Sequence, residues 1–149
     1  MKVAVLALQG AFIEHEKRLE QLGVTCIELR QKSDLDQEFD GLVLPGGEST
    51  VQGKLLKELD MFDSLQKRIQ EGLPTLATCA GLILLAQNIE NQDQTYFSTI
   101  PMSVKRNAYG RQLGSFHTIE EVKGIGKVPM TFIPVSYTHL RAHETRHDL

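Results

Sequence analysis

The chain has 149 residues, with 16 Lys and Arg against 19 Asp and Glu, a net charge of -3. That balance offers no basic face for a nucleic-acid backbone. Its 41% hydrophobic content suits one folded domain rather than a disordered polymer, and two Cys with 12 aperiodic Gly exclude disulfide-built and collagen-like scaffolds. No stretch reaches the ~18 apolar residues of a membrane span, and the start, Met1 to Gly10, lacks the long apolar region and cleavage site of a secretory signal. The expected setting is a reducing cytoplasm, with Cys26 and Cys79 unbridged.

Strand and helix signals alternate along the chain. Lys2 to Leu8 is a continuous apolar run, as in a strand covered on both faces. After the turn at Gln9-Gly10, the spacing of Phe12, Leu19 and Leu22 predicts a helix ending at Gly23. Thr25 to Leu29 alternates as a short strand near a sheet edge. Phe39 to Leu44 runs as a strand into Pro45-Gly46-Gly47, and Ser49 or Thr50 is placed to cap the next helix, through Leu55 and Leu56. A further helix carries Phe62, Leu65 and Ile69 and stops at Gly72. Thr75 to Thr78 is a strand, and Cys79-Ala80-Gly81 turns directly into the apolar stretch Leu82 to Ala86. Thr95 to Phe116 is polar and irregular, and Val128 to Ile133 reads as another strand. The rhythm predicts an α/β fold, a three-layer, doubly wound, mostly parallel sheet. Ligands bind such sheets beyond the carboxyl ends of the strands, where both tight turns fall.

Two segments carry chemistry. Ala77-Thr78-Cys79-Ala80-Gly81 sets a Cys among small residues at a strand-to-helix turn, the pattern of a nucleophile elbow. The sulfur would sit at a helix N-terminus, whose unpaired N–H groups favour negative charge. The plain alternative is a buried Cys acting as a small hydrophobe. In Pro45-Gly46-Gly47-Glu48-Ser49-Thr50 the glycines let main-chain N–H groups approach a developing oxyanion. No Gly-Lys-Ser/Thr follows, so a phosphate-binding P-loop is excluded.

These segments join Leu8-Gln9-Gly10-Ala11 with Glu14-His15, the stretch Leu82 to Ala86, and Arg106-Asn107-Ala108-Tyr109-Gly110-Arg111-Gln112 in a pattern that resembles the glutaminase subunits of pyridoxal 5′-phosphate synthase. Those are class I, triad-type glutamine amidotransferases with a flavodoxin-like fold. The resemblance runs over residues 1 to about 133. Ala77 stands where the family usually has Gly, and Lys105 where an acidic residue is common. It implies that Cys79 attacks the glutamine carboxamide, releasing ammonia and leaving a glutamyl thioester that water hydrolyses. It further implies an oxyanion hole from the N–H groups of Gly47 and Ala80. The amino-acid end of glutamine would be held by Gly46, Gly47, Glu48, Ser49, Arg106 and the Ile133 main chain. Arg106 suits a carboxylate through its bidentate fork. The ammonia would pass to a synthase subunit in a hetero-oligomer. No cofactor, metal, nucleic acid or membrane is implied, pyridoxal phosphate being the pathway's product.

One departure is larger. The family's base and its orienting acid come as Phe-His-Pro-Glu near the C-terminus, and no His-x-Glu occurs in these 149 residues. His143 and Glu144 are adjacent and would point apart, and His117 lacks the motif. Residues 135–149 hold three of the five His and no Gly. His139, His143 and His147 would form a stripe on a helix, but three stacked imidazoles without a carboxylate shell make a poor metal cage. The expected division is an amidotransferase domain over 1–134, incomplete at its C-terminal side, and a non-native tail over 135–149. Such a polypeptide is expected to be inactive as a glutaminase. Two rival readings are a non-catalytic docking fragment of the same complex and a cysteine-elbow protein of the deglycase or chaperone type.

Overall fold

In a computed structural model, the described residues are 1–90, 92–106, 116–132 and 136–140, with side chains described to residue 104 and at a few positions between 119 and 127. Strands β1 (Lys2–Leu6), β2 (Thr25–Leu29), β3 (Gly41–Leu44) and β4 (Thr75–Ala77) form a four-stranded, wholly parallel sheet in the order β2-β1-β3-β4. Helix α1 (Phe12–Gln21) links β1 to β2. Helices α2 (Ser49–Glu58) and α3 (Phe62–Gln70) link β3 to β4, and α4 (Ala80–Leu85) follows β4.

The period-2 alternation of the strands divides the core between two faces. On one, Val3, Val5 and Val43 pack against Phe12 and Leu19 of α1 together with Val24 and Cys26. On the other, Ala4, Leu6, Leu42 and Leu44 join Leu56, Met61, Leu65 and Leu84 from the remaining helices. Phe97, fully buried, stacks on Phe62 with ring centroids 4.9 Å apart and closes that face. Both faces of β1 and β3 are therefore dry, which is why each reads as an unbroken apolar run.

Beyond α4 the chain forms β5 (Ala86–Ile89), β6 (Ile100–Arg106), β7 (Phe116–Val122), β8 (Gly126–Phe132) and β9 (Ser136–Leu140). β5 pairs parallel with β6, β6 antiparallel with β9, and β7 with β8 as an antiparallel hairpin. The doubly wound, mostly parallel architecture expected from sequence is the one observed.

Four local readings are corrected. The α2 cap is Glu48, not Ser49 or Thr50: the Glu48 carboxylate accepts the Thr50 N–H at 3.3 Å and also the Thr50 hydroxyl. Leu22 does not continue the half-buried stripe of α1. It is 73% exposed, because the helix ends at Gln21 and the chain turns through Gly23. Strand β5 has no counterpart in the sequence reading, since Ala86 is at once the cap of α4 and the first residue of β5, leaving no turn residues to mark the change. His139 lies in strand β9, so the imagined helical stripe does not form there, and His143 and His147 lie outside the described residues.

Candidate active site

The strand order places β1 beside β3, with β2 and β4 outside them. The crossovers therefore leave in opposite directions from the β1–β3 pair, and the crevice above it is where open α/β sheets bind ligands. Three turns meet there: Leu8 to Ala11 after β1, Pro45 to Glu48 after β3, and Thr78-Cys79 after β4.

The first two turns are stitched together. Ala11 N–H donates to Gly46 O at 2.9 Å, and Glu48 N–H donates to the Gln9 side-chain oxygen at 2.9 Å. Gln52, fully buried on α2, donates from Nε2 to Gln9 O at 3.1 Å and to Pro45 O at 3.2 Å. Gly10, at φ +98°, could not be another residue without collision, because a Cβ there would run into the Gly46 carbonyl. Sequence reasoning gave Gln52 no role. A polar residue on a helix face is legible as a brace only once the loops it touches are known.

Cys79 occupies the third turn at φ 49° and ψ -108°. A non-glycine residue in such a conformation carries about 1–3 kcal/mol of strain and persists only where its surroundings over-determine it. The restraints are visible. Thr78 N–H donates to Leu44 O at 3.1 Å, Gly81 N–H donates to Thr78 O at 2.9 Å, and the N–H groups of Leu82 and Ile83 both donate to Cys79 O. Gly81 lets α4 start directly against β3, for a Cβ there would lie 2.7 Å from the Leu44 carbonyl carbon and 2.8 Å from Leu44 Cβ. The Cys79 residue is exposed, and the Gly46 turn abuts it: a Cβ on Gly46 would lie 3.5 Å from the Cys79 Cβ. Cys26 is a different kind of cysteine. It is half-buried against the β1 valines, and burial first, then the Glu20 and Glu16 carboxylates, pushes its thiol up.

The structure thus places Gly46, Gly47 and Glu48 on a turn adjacent to that of Cys79, with Ala80, buried, as the first residue of α4. Ser49 is also buried, and its Oγ has no hydrogen-bond partner among the described residues. The main chain of Arg106 ends β6, opposite Ser136 of β9. Its side chain, and all of Ile133, lie outside the described residues.

A parallel α/β sheet with a strained, exposed cysteine at a strand-to-helix turn beside a Gly-Gly loop is an arrangement that fits a cysteine-dependent amidotransferase. Residues 5–144 match the SNO glutamine amidotransferase family, and the chain belongs to that family. The pyridoxal 5′-phosphate synthase subunit PdxT of Desulfitobacterium hafniense is 64% identical over 137 residues, covering 92% of this chain and 69% of that protein. PdxT of Streptococcus pneumoniae is 56% identical over 136 residues, covering 89% of this chain and 70% of that one. A crystal structure of a glutamine amidotransferase superposes with a TM-score of 0.76 at 43% identity, over 88% of this chain and 70% of the other. A glutamine amidotransferase from Thermotoga maritima, only 17% identical, shares the fold with a TM-score of 0.56, over 94% of this chain and 63% of that one.

Proposed function

We propose that this chain is the glutamine-hydrolysing component of a pyridoxal 5′-phosphate synthase, working in the cytoplasm and handing ammonia to a second, synthase subunit. The observation that carries this reading is the exposed, strained Cys79 against the Gly46-Gly47 turn, in a chain 64% identical to a protein named as a subunit of that synthase.

In the proposed reaction the Cys79 sulfur adds to the carboxamide carbon of glutamine. The N–H groups of Gly47 and Ala80 stabilise the oxyanion. The C–N bond then breaks, and ammonia leaves with a proton supplied by a general acid. Water cleaves the resulting thioester, releasing glutamate and restoring the thiol. Gly46, Gly47, Glu48 and Ser49, with Arg106 and the Ile133 main chain, hold the α-amino and α-carboxylate groups. The Glu48 carboxylate caps α2 at the end of the same loop.

A second reading is that the 149 residues given, which contain no His-x-Glu, dock on the synthase subunit without turning over glutamine; the amidotransferase domain is then assigned to residues 1–134, although the family match runs on to residue 144.

A chloromethyl ketone analogue of glutamine tests the assignment of the site. It is expected to alkylate Cys79 well ahead of Cys26, which is half-buried and whose thiol is pushed up by burial and by the Glu20 and Glu16 carboxylates, and excess glutamine should protect Cys79. Equal labelling of the two thiols, or labelling indifferent to glutamine, would remove Cys79 from the role.

A further inference from the structure

The half-buried stripe of α1 contains a polar residue that the proposed chemistry does not use. Phe12 and Leu19 anchor the helix on the β1 valines, and His15, three residues after Phe12 and four before Leu19, projects from the same side. An apolar residue would complete the stripe. Instead the half-buried His15 reaches across the fold: its Nε2 lies 3.1 Å from Thr78 Oγ1, a hydrogen bond in either tautomer, between residues 63 apart in sequence.

Thr78 is the residue before the elbow cysteine. Its N–H and its carbonyl are already fixed, to Leu44 O and by Gly81 N–H. The His15 contact adds the side chain, so Thr78 is held at three points, and the third comes from a separate element. The loop that leads into α1 also grips the Gly-Gly turn, through Ala11 N–H to Gly46 O. The N-cap residue and the first turn of α1 therefore contact both the Gly46 turn and the Thr78 turn.

We infer that His15 is a positioning residue of the active site: by holding the Thr78 hydroxyl it keeps Cys79 in its strained conformation, facing the Gly46-Gly47 turn. The consequence for catalysis rests on the amidotransferase reading above. The mechanical part does not, and the two are separable by experiment.

The test uses the 149-residue chain with His15→Leu, which removes the hydrogen bond while keeping an apolar side chain. His15→Gln keeps a donor and acceptor, and Thr78→Val removes the other partner. Amide hydrogen exchange reads the elbow without any substrate. In His15→Leu the Gly81 and Leu82 amides, which close the turn, should exchange roughly fivefold faster, while the β1 and β3 amides are unchanged. His15→Gln should restore protection, and His15→Leu combined with Thr78→Val should be no worse than either alone. In the same variants, alkylation of Cys79 by the chloromethyl ketone should slow by a similar factor, with iodoacetamide labelling of Cys26 unaltered.

Unchanged exchange at Gly81 and Leu82, failure of the Gln variant to rescue, or additive effects in the double variant would each overturn the inference. A rise in exchange spread over α1 and in Cys26 labelling would also overturn it, since that marks a helix that has merely loosened. If exchange responds as expected while the ketone ignores Cys79 in the unaltered chain, the positioning stands and the glutaminase reading fails.

Discussion

A polypeptide of these 149 residues, mixed with a pyridoxal 5′-phosphate synthase subunit, is expected to release ammonia from glutamine about a hundredfold more slowly than the same chain continued through a family C-terminal region carrying Phe-His-Pro-Glu. The reason is chemical. The departing amine needs a proton, and the water that cleaves the thioester needs a base. General acid–base catalysis by one positioned group is worth roughly 10²–10⁴-fold. None of the five His in this sequence is followed two residues later by Glu. His15, the one His whose side-chain partner is described, spends Nε2 on Thr78. Ammonia release by the shorter chain within tenfold of the longer one would mean that one of the present His serves as base.

The second large effect concerns the fold under the elbow. Gly81→Ala should destabilise the protein by about 3 kcal/mol, the upper part of the usual range for an added methyl with no room. In a domain of this size that is a fall of roughly 10 °C in melting temperature. The obstruction is main chain and cannot swing aside: the new Cβ would meet the Leu44 carbonyl, in the central strand β3. Gly23→Ala is the control. Gly23 has a positive φ of 83° but nothing within 4 Å of a Cβ, so only the backbone preference is lost, about 1–2 kcal/mol. Thermal unfolding followed by circular dichroism separates the two. Equal shifts would show that α4 does not press on β3 as closely as described.

These expectations also mark what a sequence discloses here. The strands β1 and β3 were legible because helices cover both their faces, and a doubly covered strand must be apolar throughout. Gly10 was legible as a turn, and Gly47 and Gly81 as points of close approach, where a Cβ would collide with neighbouring atoms. Less visible were interactions made by polar residues on otherwise apolar faces. Gln52 looks like an ordinary surface residue of α2, yet it is fully buried and braces two loops. His15 sits within a recognisable motif, but its partner is 63 residues away. The cap of α2 was misassigned because Ser and Thr are the habitual caps, whereas here the longer Glu48 side chain folds back to Thr50. Strand β5 escaped notice for the opposite reason: helix passes into strand at Ala86 with nothing between them.

The central claim is that Cys79, and not Cys26, carries the glutamyl group. Ammonia release from glutamine by the C-terminally continued chain with a pyridoxal 5′-phosphate synthase subunit, measured in Cys79→Ser and Cys26→Ser side by side, tests it most directly. Cys79→Ser should reduce release to background, while Cys26→Ser, altering a thiol packed against the β1 valines, should leave it within about twofold, provided that the fold is kept. Retained ammonia release in Cys79→Ser, or its loss in a folded Cys26→Ser alone, would contradict the account.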